Sequence, residues 1–306
     1  MAQVWALLIS NCERPGPVMA VACPPIRRLA LAEDTEQRQW LMQNLQAHRV
    51  QSLEGEASGL LTAYFEPVID ARRVPGQGFS VPLYRLPAGL KPGQAWFTRQ
   101  EIDTLPAAQA ALHGREIAWI ADPVDAMVLH IQGSGRLRIT EADGRVRMVR
   151  VGFAASNEHP YQSIGRWLLD KNETKDASWP GIKAWMQRNP GKTQALLWVN
   201  PRYVFFKEEA ITDASVGPRG AQGLPLTPGR SIAVDPQSLD YGTPVWMVSP
   251  GPTQALQRLV VAQDTGSAIT GAVRADLYLG TGAAAGELAG RMKQPLRLWA
   301  LLPKTP

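Results

Sequence analysis

The chain has 306 residues, 45% hydrophobic and 19% charged, enough for one large or two modest domains of ordinary soluble composition. Its net charge of +5 comes from scattered Lys and Arg with no basic tract, recognition-helix pattern or zinc-finger spacing, so no nucleic-acid partner is expected. No apolar run is long enough to span a bilayer as a helix, and the abundant Gly (27) and Pro (25) favour a turn-rich, mostly β protein.

Residues 1–28 read as a leader or linker. They hold both cysteines, Cys12 and Cys23, and small residues before Cys23 have the form of a lipoprotein cleavage site, although Ala20 stands where a larger aliphatic residue is usual. Cys23 is therefore the candidate for a lipid anchor, with a mis-assigned start codon as the rival explanation. Because the presumed folded core contains no cysteine, no disulfide framework is expected. A helix is expected over residues 34–50, where Trp40, Leu41 and Leu45 recur at helical spacing. A strand follows at 59–66, then short strands at 81–86 and 117–120. Residues 127–132 and 137–139 read as a strand pair, with a further strand at 145–151 beyond the Asp143-Gly144 turn. Helical pattern returns at 160–170 and 180–188, and Tyr203-Val204-Phe205-Phe206 is an apolar strand. Short strands at 232–234, 244–248, 259–263, 275–279 and 296–302, with one helix at 283–292, suggest a small barrel.

Two phosphate-loop imitations are set aside. Pro190-Gly191-Lys192-Thr193 lacks the glycine that a Walker A loop needs five residues earlier, where Met186 stands. Gly280-Thr281-Gly282 opens a helix, but after Glu287 the chain has no acidic residue to hold a ribose at the end of the next strand, so the glycines read as a tight turn. His159 and Ser163 have no nucleophile elbow around them, and the four histidines read as structural. With the histidines far apart, no metal and no cofactor are expected.

The carboxylates carry more. Asp235 and Asp264 precede Pro and Thr-Gly, contexts in which Asp often only shapes a turn. Asp276 lies between Ala275 and Leu277 inside an apolar strand, where Asp is disfavoured. A part-buried carboxyl near others has a raised pKa, as a general acid near neutral pH requires.

These segments resemble a known family. Val234-Asp235-Pro236, Tyr241-Gly242-Thr243-Pro244-Val245, Ala262-Gln263-Asp264-Thr265-Gly266 and Arg274-Ala275-Asp276-Leu277-Tyr278 are similar to the three-aspartate domain. Upstream, Thr62-Ala63-Tyr64-Phe65-Glu66-Pro67, His130-Ile131-Gln132-Gly133-Ser134-Gly135-Arg136-Leu137, His159-Pro160-Tyr161-Gln162-Ser163-Ile164-Gly165-Arg166 and Asn200-Pro201-Arg202-Tyr203-Val204-Phe205-Phe206 resemble the signatures of the membrane-bound lytic murein transglycosylase A family. The resemblance covers residues 59–302. Ala63 and Ser267 replace usual glycines, which puts two turns in question.

The resemblance implies a mostly β fold: a double-psi β-barrel domain (29–66 plus 204–306) with a second β-rich domain inserted at 67–203 and a glycan groove between them. It implies a monomer acting on peptidoglycan glycan strands in the periplasm, with other cell-wall enzymes as the partners to seek. The reaction implied is cleavage of the β-1,4 bond between N-acetylmuramic acid and N-acetylglucosamine, leaving a 1,6-anhydro end. Asp276 would be acid and then base. Asp264 and Asp235 would hold its proton by like-charge repulsion or orient nearby backbone. Thr62, Tyr64 and Glu66 would bind substrate from the barrel side, and Gln132, Gly133 and Ser134 from the inserted domain. The alternatives are a non-catalytic peptidoglycan-binding protein, which would not need an acid in a strand, and a hydrolase using Glu66 or Asp264 as second carboxylate, whose products would be heavier by one water.

Overall fold

The computed structural model describes residues 1–304, which divide into two compact units, residues 1–65 with 215–306 and residues 66–214. In chain order, the first unit begins with helices α1 (Ala2–Asn11), α2 (Cys23–Arg28) and α3 (Asp34–Asn44), then strands β1 (Leu45–Arg49) and β2 (Gly59–Glu66). The first 28 residues are thus folded, where a leader or linker was expected. Val4, Trp5, Leu7 and Leu8 of α1 are buried with Ile26 of α2 against Leu259 and Val261. Cys12 and Cys23 form a disulfide. That corrects two expectations: the cysteines do form a cross-link, and a sulfur bonded to Cys12 is not available to carry a lipid thioether. The helix expected over 34–50 stops at Asn44, and its end turns into β1, which pairs with the last strand of the chain.

The second unit comprises β3 (Val68–Arg72), β4 (Val81–Tyr84), α4 (Arg99–Thr104), α5 (Pro106–Leu112), β5 (Glu116–Ile120), α6 (Pro123–Gln132), β6 (Ser134–Thr140), β7 (Val146–Ser156), α7 (Ile164–Asp170), α8 (Trp179–Arg188), α9 (Thr193–Trp198) and β8 (Val204–Ala210). Its 6-stranded sheet has the order β4-β5-β3-β6-β7-β8. Leu137 and Ile139 of β6, Val149 and Val151 of β7 and Val204 and Phe206 of β8 alternate into one core, as period-two patterning requires. Residues 127–132, expected as a strand, are the end of α6. Asp122 caps this helix by accepting from Val124 N, Pro123 opens it, and Gly133 closes it at φ 74°. Val124 to His130 are buried without a polar face apart from Asp125, so periodicity could not separate buried helix from buried strand. The barrel does not resume at residue 204: β8 pairs along β7, and the second unit runs on to Ala214.

The first unit returns with β9 (Ser231–Val234), β10 (Pro244–Ser249), β11 (Leu256–Asp264), β12 (Arg274–Thr281), α10 (Ala283–Arg291) and β13 (Lys293–Pro303). Its 7-stranded sheet has the order β1-β13-β10-β11-β9-β12-β2, and β13 also pairs with β2. That last pairing, with Lys293 opposite Thr62, closes β13-β10-β11-β9-β12-β2 into a barrel, with β1 outside the ring. Closure leaves no free edge on those strands. Val245 and Met247 of β10, Ile232 and Val234 of β9, Ala275 and Leu277 of β12 and Leu296 and Leu298 of β13 fill the interior.

Candidate active site

Strand register brings two of the three aspartates together. In β12, Asp276 lies opposite Ala233 of β9; in β11, Asp264 lies opposite the same Ala233, across a bulge between Ala262 and Asp264. Bulges re-aim side chains at strand ends. Two acids 12 positions apart therefore flank one central residue. Asp235 follows two residues beyond Ala233, in the loop at the end of β9, and Thr265 Oγ1 donates to Val234 O beside it at 2.9 Å.

Asp276 is half-buried. Thr62 of β2 donates to its Oδ1 at 2.5 Å. The Thr62 hydroxyl in turn accepts from Arg274 Nη2 at 2.9 Å, so its single proton is directed at Asp276. Arg274 is also tied to Ala275 O at 2.6 Å and Leu60 O at 3.4 Å. Burial pushes the Asp276 carboxyl up to about 6, against the Thr62 hydrogen bond and the Arg274 charge, which pull it down; the charge of Asp264 adds the smallest upward push. Desolvation, more than the like-charge repulsion expected from Asp264 and Asp235, thus sets the proton on Asp276.

Asp264 is also raised by burial, opposed by hydrogen bonds from Tyr64, Ala221 N and Thr265 N. Tyr64 Oη donates to Asp264 Oδ2 at 2.8 Å and Ala221 N to Oδ1 at 2.9 Å. Burial, then the Asp264 charge, lifts the Tyr64 phenol well above its ordinary range, so it stays a donor. Asp235 holds backbone: Gln237 N donates to Oδ1 at 2.9 Å and Gly271 N to Oδ2 at 2.7 Å. Of its two expected roles, the geometry matches the orienting one.

Glu66, expected to touch substrate, is fully buried. Arg136 Nε donates to its Oε2 at 2.8 Å and Arg150 Nε to its Oε1 at 2.5 Å. Arg136 and Arg150 are direct cross-strand partners in β6 and β7. Two like charges in that register repel, and Glu66 between them resolves the conflict. Buried and held by two arginines, it is placed as a structural group and not where a glycan would touch it. Gln132, Gly133 and Ser134 are half-buried at the junction of α6 and β6, in the second unit.

The histidines thought structural behave so where they have partners: His130 is buried with Nδ1 2.9 Å from Arg99 Nη2, and His159 Nε2 lies 2.7 Å from Trp96 O. Ser163 caps α7. Gly280 (φ 108°) and Gly282 (φ 93°) supply the turn into α10. Neither Ala63 nor Ser267 has a positive φ, so the substitutions for glycine cause no backbone strain. The residue that sequence reasoning passed over is Arg274. Its i, i+2 spacing from Asp276 on one strand face was the available signal.

Residues 60–207 match the family model described as the MltA specific insert domain, and residues 230–302 match the 3D domain. The membrane-bound lytic murein transglycosylase A of Vibrio cholerae is 33% identical over 271 residues, covering 84% of this chain and 69% of the relative. The lytic transglycosylase LtgG of Burkholderia pseudomallei is 41% identical, with a TM-score of 0.63 over 98% of this chain and 89% of that one. Escherichia coli MltA, solved with bound chitohexaose, is 27% identical with a TM-score of 0.80, over 99% and 90%. The chain belongs to the membrane-bound lytic murein transglycosylase A family.

Proposed function

We propose that the protein cleaves the β-1,4 bond between N-acetylmuramic acid and N-acetylglucosamine in peptidoglycan and leaves 1,6-anhydromuramic ends. The observation that carries this reading is Asp276, a carboxyl raised to about 6 and gripped through one oxygen by Thr62. A carboxyl protonated in that range is a competent general acid. With Oδ1 accepting from Thr62, Oδ2 bears the proton. It passes to the glycosidic oxygen as the bond to the muramic anomeric carbon breaks. The resulting carboxylate then takes the proton from the sugar's own 6-hydroxyl as that oxygen closes on the same carbon. No water is consumed, and the intramolecular attack draws on proximity in place of a second carboxylate. Asp264, held by Tyr64 and Ala221, fixes the electrostatic surroundings of the acid, and Asp235 orients the backbone at the end of β9.

The ligand is a glycan strand, by analogy with the relative that holds chitohexaose. Thr62 and Tyr64 are the contacts proposed on the barrel, and Gln132, Gly133 and Ser134 those on the inserted unit. The place of action is the periplasm, where murein lies. No helix among the described residues is long and apolar enough to cross a membrane. Digestion of purified murein followed by mass spectrometry tests the reading. Anhydro products, lighter than hydrolysis products by one water, are expected. Hydrolysed reducing ends would replace the reading with a hydrolase, and intact murein would leave only binding.

A further inference from the structure

The N-terminal segment reaches the acid site through polar contacts that are buried at Asn11 and Gln222 and end at the exposed amide of Ala221. Asn11, the last residue of α1, is 1% exposed. Its Nδ2 donates to Gly242 O at 2.8 Å, and its Oδ1 accepts from Gln222 Nε2 at 2.7 Å. Gln222 Nε2 also donates to Arg14 O at 2.8 Å, and Gln222 N to Gln263 O at 3.0 Å. The neighbouring amide, Ala221 N, holds Asp264 Oδ1. The side chain that grips the N-terminal segment and the amide that grips the carboxylate belong to adjacent residues.

The fit is close on every side. A Cβ at Gly16 would lie 2.3 Å from Tyr241 O, and one at Gly242 (φ +84°) 2.5 Å from Gly16 N. At Gly223 (φ +83°) it would lie 2.2 Å from Arg14 Nη1. Gly16 sits inside the loop closed by the Cys12–Cys23 disulfide, and Arg27 of α2 fastens that loop by donating to Cys12 O at 2.6 Å. Below it, the apolar faces of α1 and α2 cover Leu259 and Val261 of β11, the strand that ends on Asp264. Backbone contact over glycines leaves the segment little freedom to shift without shifting the turns at 220–223 and 241–242.

We propose that this disulfide-closed clasp is a positioning element for the acid site, with Asn11 and Gln222 as positioning residues that hold the Ala221 amide on Asp264. The inference rests on the transglycosylase reading for its effect on turnover, but its structural half needs no substrate. Losing the Ala221 hydrogen bond removes a donor that lowers the Asp264 pKa, so the carboxyl titrates higher.

The test compares wild type with Asn11→Ala, Gln222→Ala and the double variant Cys12→Ser/Cys23→Ser. Asp carboxyls labelled with ¹³C are titrated by NMR, and kcat, KM and Tm are measured on murein in parallel. The expected result is an upward move of the Asp264 titration in both alanine variants, with kcat lower by about tenfold and KM unchanged. Asn11→Gln, which keeps both the donor for Gly242 and the acceptor for Gln222, should restore part of both. If the double cysteine variant does not fold, the two alanine variants decide. An Asp264 titration that stays at its wild-type value while Tm falls would overturn the proposal and leave the clasp a brace of the fold. Failure of the functional reading looks different: wild type yields no anhydro products, whatever Asp264 does.

Discussion

Two carboxylates in this molecule meet arginine in opposite ways. In the inserted unit, Glu66 takes Arg136 and Arg150 directly, and all three are buried. In the barrel, Asp276 reaches Arg274 through the Thr62 hydroxyl. Direct guanidinium pairs hold a carboxylate in place as a structural part. An interposed hydroxyl supplies geometry with less charge, so burial outweighs it and the proton stays. The same residue types give a strut in one place and, in the function proposed above, a proton donor in the other, and what separates them is one intervening side chain.

The comparison breaks first at Asp276. Asp276→Asn keeps the shape but removes the transferable proton, so turnover on murein should fall by about 10²–10⁴-fold or more. The same substitution should raise stability. An ionised Asp276 is disfavoured in the fold because its pKa is raised from 3.8 to about 6, a penalty worth about 1–3 kcal/mol. Urea melts should show the gain above about pH 6 and none below about pH 3.8, where the carboxyl is neutral in both states. Full turnover in the variant would move the acid role to Asp264.

Glu66→Ala should do the reverse. Two buried guanidinium groups would face each other across β6 and β7, costing about 3–5 kcal/mol in the same melts, with no shift in the pH of half-maximal turnover. A variant of unchanged stability would show Glu66 to be no strut.

Turnover of wild type should fall as pH rises through about 6, the direction expected of an acid that must begin protonated. A rate that climbs through that range would make Asp276 a base from the outset. Thr62→Val sharpens the point further. It removes a donor that lowers the Asp276 pKa, so the alkaline limb should move to higher pH with a loss of only a few-fold in kcat, by the measure of one hydrogen bond of about 1 kcal/mol.

Much of the site could be read from the chain because its chemistry violates local preference. Asp276 inside an apolar strand is visible for that reason, and most of β13 shows clean alternation. What stayed hidden depended on pairing at a distance. Glu66 at the end of a strand looks like a surface acid until register places Arg136 and Arg150 around it. The α6 segment, apolar on nearly all sides, carries no period that separates helix from strand. Residues 1–28 are short of charge and rich in small residues, which is also what a leader looks like, and only the Cys12–Cys23 bond and the burial of Trp5 and Leu8 distinguish them.

Closure of the barrel by β2 has a consequence in time. Thr62 and Asp276, the pair proposed to make the acid, lie 214 residues apart in the chain. A contact of that separation forms late, since the entropy of a long closed loop must be met before the contact returns anything. The inserted unit is continuous from 66 to 214, with its own core, and can condense while β2 still waits for its partners. A chain emerging from its N-terminus therefore carries no working acid until β12 and β13 have arrived. If Asp276 is the acid, as proposed, a chain broken before residue 274 lacks it altogether.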